Sequence, residues 1–138
     1  MKENDLSQVC TIEDETFSTP WDEKSFLDSI NHKDRIYLVA KEDEKVLGYC
    51  GMWNSIDEGQ ITNVAVKEEN RNKKIGYNML KALINEGKNN NLKSFVLEVR
   101  VSNDKAINLY HKLGFKDCGI RKGYYSKPKE DAIIMWLK

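Results

Sequence analysis

The chain has 138 residues, which suits one compact domain spanning 1–138 and leaves little room for two. A hydrophobic share of 40% can bury one core, and with 32% charged residues this composition argues against wholesale disorder. Lys plus Arg and Asp plus Glu both number 22, a balance that speaks against a nucleic-acid-binding module.

No apolar run is long enough to span a bilayer, and the polar start Met1-Lys2-Glu3-Asn4-Asp5 has no apolar signal segment behind it. A cytoplasmic protein without membrane contact is expected. Cys10, Cys50 and Cys118 are far apart and form neither a CxxC pair nor a zinc-type spacing, so reduced thiols are expected. With His32 and His111 as the only histidines, no metal site is expected.

In chain order, Leu6, Val9, Cys10, Glu13 and Phe17 follow helical spacing and predict a first helix. Pro20 ends that element, and Asp22-Glu23 suit the first turn of a second helix with Phe26, Leu27 and Ile30 on its apolar face. Ile36 to Ala40 and Val46 to Trp53 predict a strand hairpin about Glu42-Asp43-Glu44. A turn at Asp57-Glu58-Gly59 leads to a third strand, Gln60 to Val66. Ile75, Met79, Ala82 and Leu83 mark a long helix that Asn89-Asn90-Asn91 closes. Ser94 to Val99 is the next strand, parallel to the third because a helix connects them. A short helix, Asp104 to Leu113, stops at Gly114. Two last strands run Phe115 to Tyr124 and Ala132 to Leu137. The order predicts an α/β domain, a mixed sheet flanked by helices.

Three places stand out chemically. After Val64-Ala65-Val66, a polar loop brings Arg71, Asn72, Lys73 and Lys74 to a helix start ahead of Gly76. Helix-start N–H groups lack internal partners and seat a pyrophosphate well. Local sequence alone favours an ordinary solvated helix start, since no Walker A or GxGxxG pattern is present. Glu98 interrupts the apolar strand Phe95-Val96-Leu97-Glu98-Val99. It reads either as a proton acceptor or as an ion-pair partner of Arg100, and the pair is the commoner case. Asn103 reads as a helix N-cap, and Tyr110 as a core residue or a proton-donating phenol.

Taken together, these segments resemble the GNAT superfamily of acyl-CoA N-acyltransferases. The resemblance is carried by Leu97 to Phe115 (LEVRVSNDKAINLYHKLGF) and by Asn63-Val64-Ala65-Val66 followed by Arg71, Lys74 and Gly76. Thr19-Pro20-Trp21, Ile120 to Tyr125 and Glu130 to Met135 make the chain similar, more narrowly, to the ribosomal-protein-alanine N-acetyltransferases. The resemblance covers nearly the whole chain. It implies a V-shaped splay between the two central parallel strands, with acetyl-CoA as co-substrate in the gap. Val64, Ala65 and Val66 would hold the pantetheine and polarise the thioester. Arg71, Asn72, Lys73, Lys74, Ile75, Gly76 and Tyr77 would receive the pyrophosphate, and Asn103 would also contact the cofactor. Glu98 would be the general base and Tyr110 the general acid. Trp21, Asn63 and Tyr124 would meet the acceptor, the N-terminal peptide of a ribosomal protein. An acceptor with another amine, or a non-catalytic acyl-CoA-binding module, are the alternatives.

Two departures from the family pattern are evident. Lys74 stands where the family has glycine, and is expected in the first helical turn, where lysine fits. The family's leading edge strand is expected to be clipped to about Met1–Asn4 or missing. Glu13-Asp14-Glu15 with Asp22-Glu23 are expected to form an acidic surface that attracts a basic peptide or is simply solvated.

Overall fold

The computed structural model describes residues 1–138. A one-turn helix at Glu3–Asp5 leads into α1 (Leu6–Thr16), α2 (Glu23–Ile30), β1 (Arg35–Glu42), β2 (Lys45–Ser55), β3 (Glu58–Val66), α3 (Ile75–Asn89), β4 (Ser94–Arg100), α4 (Asp104–Lys112), β5 (Lys116–Ser126) and β6 (Lys129–Leu137). The strands form one sheet in the order β1-β2-β3-β4-β6-β5. Only β3 and β4 run parallel, as the helical crossover requires. No strand precedes β1. The Met1 amine instead donates to the Tyr37 carbonyl at 3.0 Å.

Strand alternation divides the core into two layers. Ile36, Leu38 and Ala40 of β1, with Cys50 and Met52 of β2 and Leu97 and Val99 of β4, face α3 and α4. Met79, Leu80, Leu83 and Ile84 answer from α3, and Tyr110 from α4. On the opposite face, Tyr37, Val46, Tyr49 and Ala65 pack against Leu6, Val9 and Ile12 of α1 and Phe26 of α2.

The elements lie where hydrophobic spacing put them, with instructive differences at their ends. Phe17, expected in the α1 stripe, is extended past the helix end and 37% exposed. Ala82 is also exposed, and Leu80 and Ile84 carry the buried face of α3 instead. The turn before β3 falls at Ile56 and Asp57, and Glu58 and Gly59 already belong to the strand. Ile56 takes φ +56° in that turn, with its side chain fully exposed. Gly114, at φ +101°, stops α4 as expected.

The feature that makes the site is where β3 and β4 stop pairing. Their register runs only Glu58↔Ser94, Gly59↔Phe95 and Gln60↔Val96. On its other edge β3 stays paired to β2 up to Val66, but with a bulge: Met52 opposes Ile61 and Gly51 opposes Asn63, leaving Thr62 extra. A bulge bends its strand and increases the local twist, which peels β3 away from β4. It also resets the alternation, so Ile61 and Val64 share the α3 face while Asn63 and Ala65 turn toward α1 and α2. The V-shaped splay is thus present between the two central parallel strands.

Candidate active site

The base of the wedge is lined by backbone. β2 occupies one edge of β3, so alternate residues of Asn63–Val66 turn their N–H groups to the open side. Arg71 closes the far end: its Nε donates to the Val66 carbonyl at 3.0 Å and folds the following loop back onto the strand. The expected charge of Arg71 is therefore partly spent as a structural tie.

The loop then enters α3 through two left-handed residues, Asn72 at φ +66° and Lys74 at φ +63°. Lys74 is the N-cap residue, not a first-turn residue as expected from sequence. It holds a conformation that glycine adopts freely and that costs an L-residue roughly 1–2 kcal/mol. The first helical bond runs from the Asn78 N–H to the Lys74 carbonyl at 3.0 Å, and no N–H between Asn72 and Tyr77 has an acceptor within the chain. Left-handed turns ahead of a helix start gather such groups into an anion-binding concavity. Lys73 and Lys74 are exposed beside it. The residues present therefore fit a pyrophosphate. Gly76 contributes through packing: a Cβ there would stand 3.3 Å from Leu109 Cδ2 and 3.7 Å from Val66 Cγ2, so the glycine lets α3 sit close to α4 and β3.

Glu98 lies on β4 beyond the last residue paired with β3, on the face away from Leu97 and Val99. Its side chain is 10% exposed. The expected ion pair with Arg100 does not form. Arg100 turns to Glu130 Oε1 at 3.2 Å, to the Lys127 and Pro128 carbonyls, and to the Tyr125 ring at 4.2 Å. Glu130 also accepts from the Ser102 N–H at 2.8 Å, and the Ser102 and Arg100 hydrogen bonds hold its carboxyl below the usual range. Glu98 faces Arg121 instead, Oε1 to Nε 3.7 Å. Arg121 is largely solvated, so this pair is worth at most about 1 kcal/mol and does not lock the carboxylate.

Tyr110 is 7% exposed and packs its ring at 5.9 Å from Phe115. Its hydroxyl bonds to no group of the chain, yet is not among the sealed polar atoms, of which Asn54 Oδ1 is the only unpartnered one. The phenol oxygen is therefore not completely sealed from solvent. Burial pushes its pKa up, with smaller contributions from Tyr125 and Cys50. Tyr125 in turn feels Glu98. Asn103 is the N-cap of α4, its Oδ1 accepting from the Ala106 N–H at 3.3 Å.

The side of the site that faces α1 and α2 joins residues far apart in sequence. Trp21 stacks at 5.3 Å from Phe26, 6.2 Å from Tyr37 and 6.3 Å from Trp53. The Tyr37 hydroxyl accepts from Trp53 Nε1 at 3.1 Å and lies 3.1 Å from Thr62 Oγ1 and 3.4 Å from the buried Asn63 Oδ1. Trp21 and Asn63 are thus linked through Tyr37, a residue the sequence places only in a strand. Tyr124 on β5 is 48% exposed, has Tyr125 at 5.0 Å, and is close enough to Glu98 for that charge, after burial, to raise its pKa.

Comparison with known proteins agrees with this geometry. Residues 6–115 match the model of the acetyltransferase (GNAT) family. The [ribosomal protein bS18]-alanine N-acetyltransferase of Salmonella typhimurium is 34% identical over 96% of this chain and 90% of its own length. An N-alpha-acetyltransferase of Saccharolobus solfataricus is 34% identical over 96% of this chain and 86% of its own. The crystal structure of the ribosomal-protein-S18-alanine N-acetyltransferase from Escherichia coli superposes with a TM-score of 0.89 at 32% identity, covering 99% of this chain and 89% of that one. The chain belongs to the acetyltransferase (GNAT) family and is an acetyl-CoA-dependent N-acetyltransferase.

Proposed function

We propose that this enzyme transfers acetyl directly to a protein N-terminal amine, that of the N-terminal alanine of a small-subunit ribosomal protein. The observation that carries the reading is an open wedge between β3 and β4, with the nearly buried carboxylate of Glu98 on β4 past the last paired residue. An α-amine has a pKa of about 7.7–8.0 and arrives largely protonated at neutral pH, whereas a lysine amine at about 10.4 is harder to deprotonate. Glu98 takes the proton, directly or through one water, and leaves the nitrogen lone pair free. The amine then forms the new C–N bond as the C–S bond breaks. N–H groups at the end of β3 near Val66 stabilise charge on the thioester oxygen. Tyr110, kept protonated by burial, gives its proton to the departing thiolate, and the second proton of the attacking nitrogen passes through water to restore the phenol. Asn72–Tyr77 and the β3 backbone fix the acyl donor, and positioning supplies much of the rate.

Relatives named for ribosomal protein bS18 alanine support the acceptor assignment. So does charge. Asp and Glu crowd the half of the chain before Asn70, and Lys and Arg the half after it. Asp14, Glu15, Asp22 and Glu23 are exposed beside the Trp21 loop and suit a basic peptide tail. Glu13 leaves that group, because it is buried.

Incubation with acetyl-CoA and a peptide panel, read by mass spectrometry, tests the proposal. Acetylation confined to N-terminal alanine peptides of ribosomal origin is expected. Modification of lysine side chains or small amines alone would overturn the acceptor, and binding without transfer would overturn the mechanism.

A further inference from the structure

Glu13 is 2% exposed, although its neighbours Asp14 and Glu15 face solvent. A carboxylate is tolerated inside a protein only when its oxygens are hydrogen-bonded. Both are. Oε1 accepts from the Tyr49 hydroxyl, and Oε2 accepts from the Trp21 N–H at 2.9 Å. Tyr49 is fully buried on β2, so one end of this bridge is anchored in the sheet. The other end reaches the connection between α1 and α2. Across Ser18–Trp21 no other hydrogen bond joins the backbone to the rest of the chain. The connection therefore depends on one buried acceptor for its polar anchorage.

What that bond fixes is the Trp21 backbone, and with it the indole that packs on Tyr37 and Trp53. Tyr37 carries the arrangement on to Thr62 and Asn63, at the bulge where β3 leaves β4. We infer that Glu13 is a positioning residue for the acceptor side of the cleft: from beneath, it sets the place of Trp21 and so the fit of the incoming peptide. This rests on the reading that Trp21 meets the acceptor.

The test compares Glu13→Met, Glu13→Gln and Trp21→Ala by steady-state kinetics with peptide and acetyl-CoA varied in turn. Methionine keeps the volume and removes both acceptors. Glutamine can turn its carbonyl to the Trp21 N–H and donate its amide to the Tyr49 oxygen, so it retains both bonds. Glu13→Met is expected to raise the peptide KM about tenfold, the scale of one hydrogen bond to a charged group, and to leave the acetyl-CoA KM within about twofold. Glu13→Gln is expected to restore the peptide KM. If Trp21→Ala raises the peptide KM while Glu13→Met does not, the role of Glu13 is overturned and that of Trp21 survives. If Trp21→Ala leaves the peptide KM unchanged, the acceptor role of the loop falls, and Glu13 has nothing to position. Amide hydrogen exchange in the wild-type enzyme tests the anchor even if Glu13→Met fails to fold. The Trp21 N–H should exchange more slowly than those of Ser18 and Thr19, and equal rates would overturn the role of Glu13.

Discussion

Glu98 and Tyr110 lie on opposite faces of the sheet. Val99 packs in the same core as Tyr110, and Glu98, one residue earlier on β4, points the other way. In a closed sheet such residues would be separated by backbone. Here pairing ends at Gln60 and Val96, so the gap connects the faces. An acyl donor on the α3 side can meet an amine arriving from the α1 side. Glu98→Gln is expected to lower kcat about a hundredfold, and Tyr110→Phe at least tenfold, with the acetyl-CoA KM little changed in either. The double variant should lose less than the product, because the two groups serve one transfer. Full kcat in Glu98→Gln would remove the carboxylate from the mechanism. Since burial raises the Tyr110 pKa, loss of activity through its ionisation should begin only above about pH 10.

Lys74 sets strain against charge. At φ +63° it costs roughly 1–2 kcal/mol, whereas glycine would cost roughly 0.5–1 kcal/mol in unfolded-state entropy. Lys74→Gly should therefore stabilise the protein by about 0.5 kcal/mol in denaturant titrations. Lys74→Ala keeps the strain and should not stabilise. Both variants lose an ammonium at the cradle, so both should raise the acetyl-CoA KM several-fold. A glycine variant about 0.5–1 kcal/mol less stable than the alanine variant would show that the left-handed geometry carries no cost here.

The fold was largely legible because its elements are short and regular in period. Alternation in β1 and β4 and the repeat through Met79 and Leu83 follow directly from which faces are buried. The splay was not legible from periodicity and entered only through resemblance. It depends on the single extra residue Thr62, whose bulge no local pattern announces. The partners of Glu98 and Arg100 were misread for a related reason. Residues two apart on a strand share a face, but each found its partner across it, in Arg121 and Glu130. Likewise Glu13 looked like one member of an acidic run, and only its place at a helical step from Val9 hinted that it turns inward. The paired tyrosines Tyr124-Tyr125 were the available signal for Tyr125, and only the first was taken up.

The exposed carboxylates of the α1–α2 region offer a separate handle. Glu23, Asp14, Glu13 and Asp22 all act, after burial, to raise the pKa of Cys10, so their charges converge on one region. Reversing the exposed members, Asp14→Lys with Asp22→Lys and Glu23→Lys, should raise the KM of a basic peptide several-fold and leave the acetyl-CoA KM unchanged. Exposed charges are screened over about 10 Å at 0.1 M salt, so the difference from wild type should shrink in 0.5 M NaCl. A peptide KM that ignores both reversal and salt would leave these residues as solvated surface only.

Cys50 gives the protein an alkaline limit that can be assigned to one atom. Burial pushes its thiol from 9.0 to about 12, and Sγ donates to the Met79 carbonyl at 3.8 Å, which also favours the protonated form. A thiol with a raised folded pKa ionises first in the unfolded chain. Its contribution is therefore intact below pH 9 and declines as pH rises from 9.0 towards about 12. Between pH 9 and 10 the loss should be about 1 kcal/mol. The Cys10 thiol and the buried phenols Tyr49 and Tyr110 are shifted in the same direction, so the difference between wild type and a Cys50 variant is what isolates this thiol. Cys50→Ala lowers stability by a pH-independent packing term, and its stability should fall less steeply than wild type between pH 9 and 10 in urea titrations. Parallel curves would mean that Cys50 keeps an ordinary thiol pKa despite its place beneath α3.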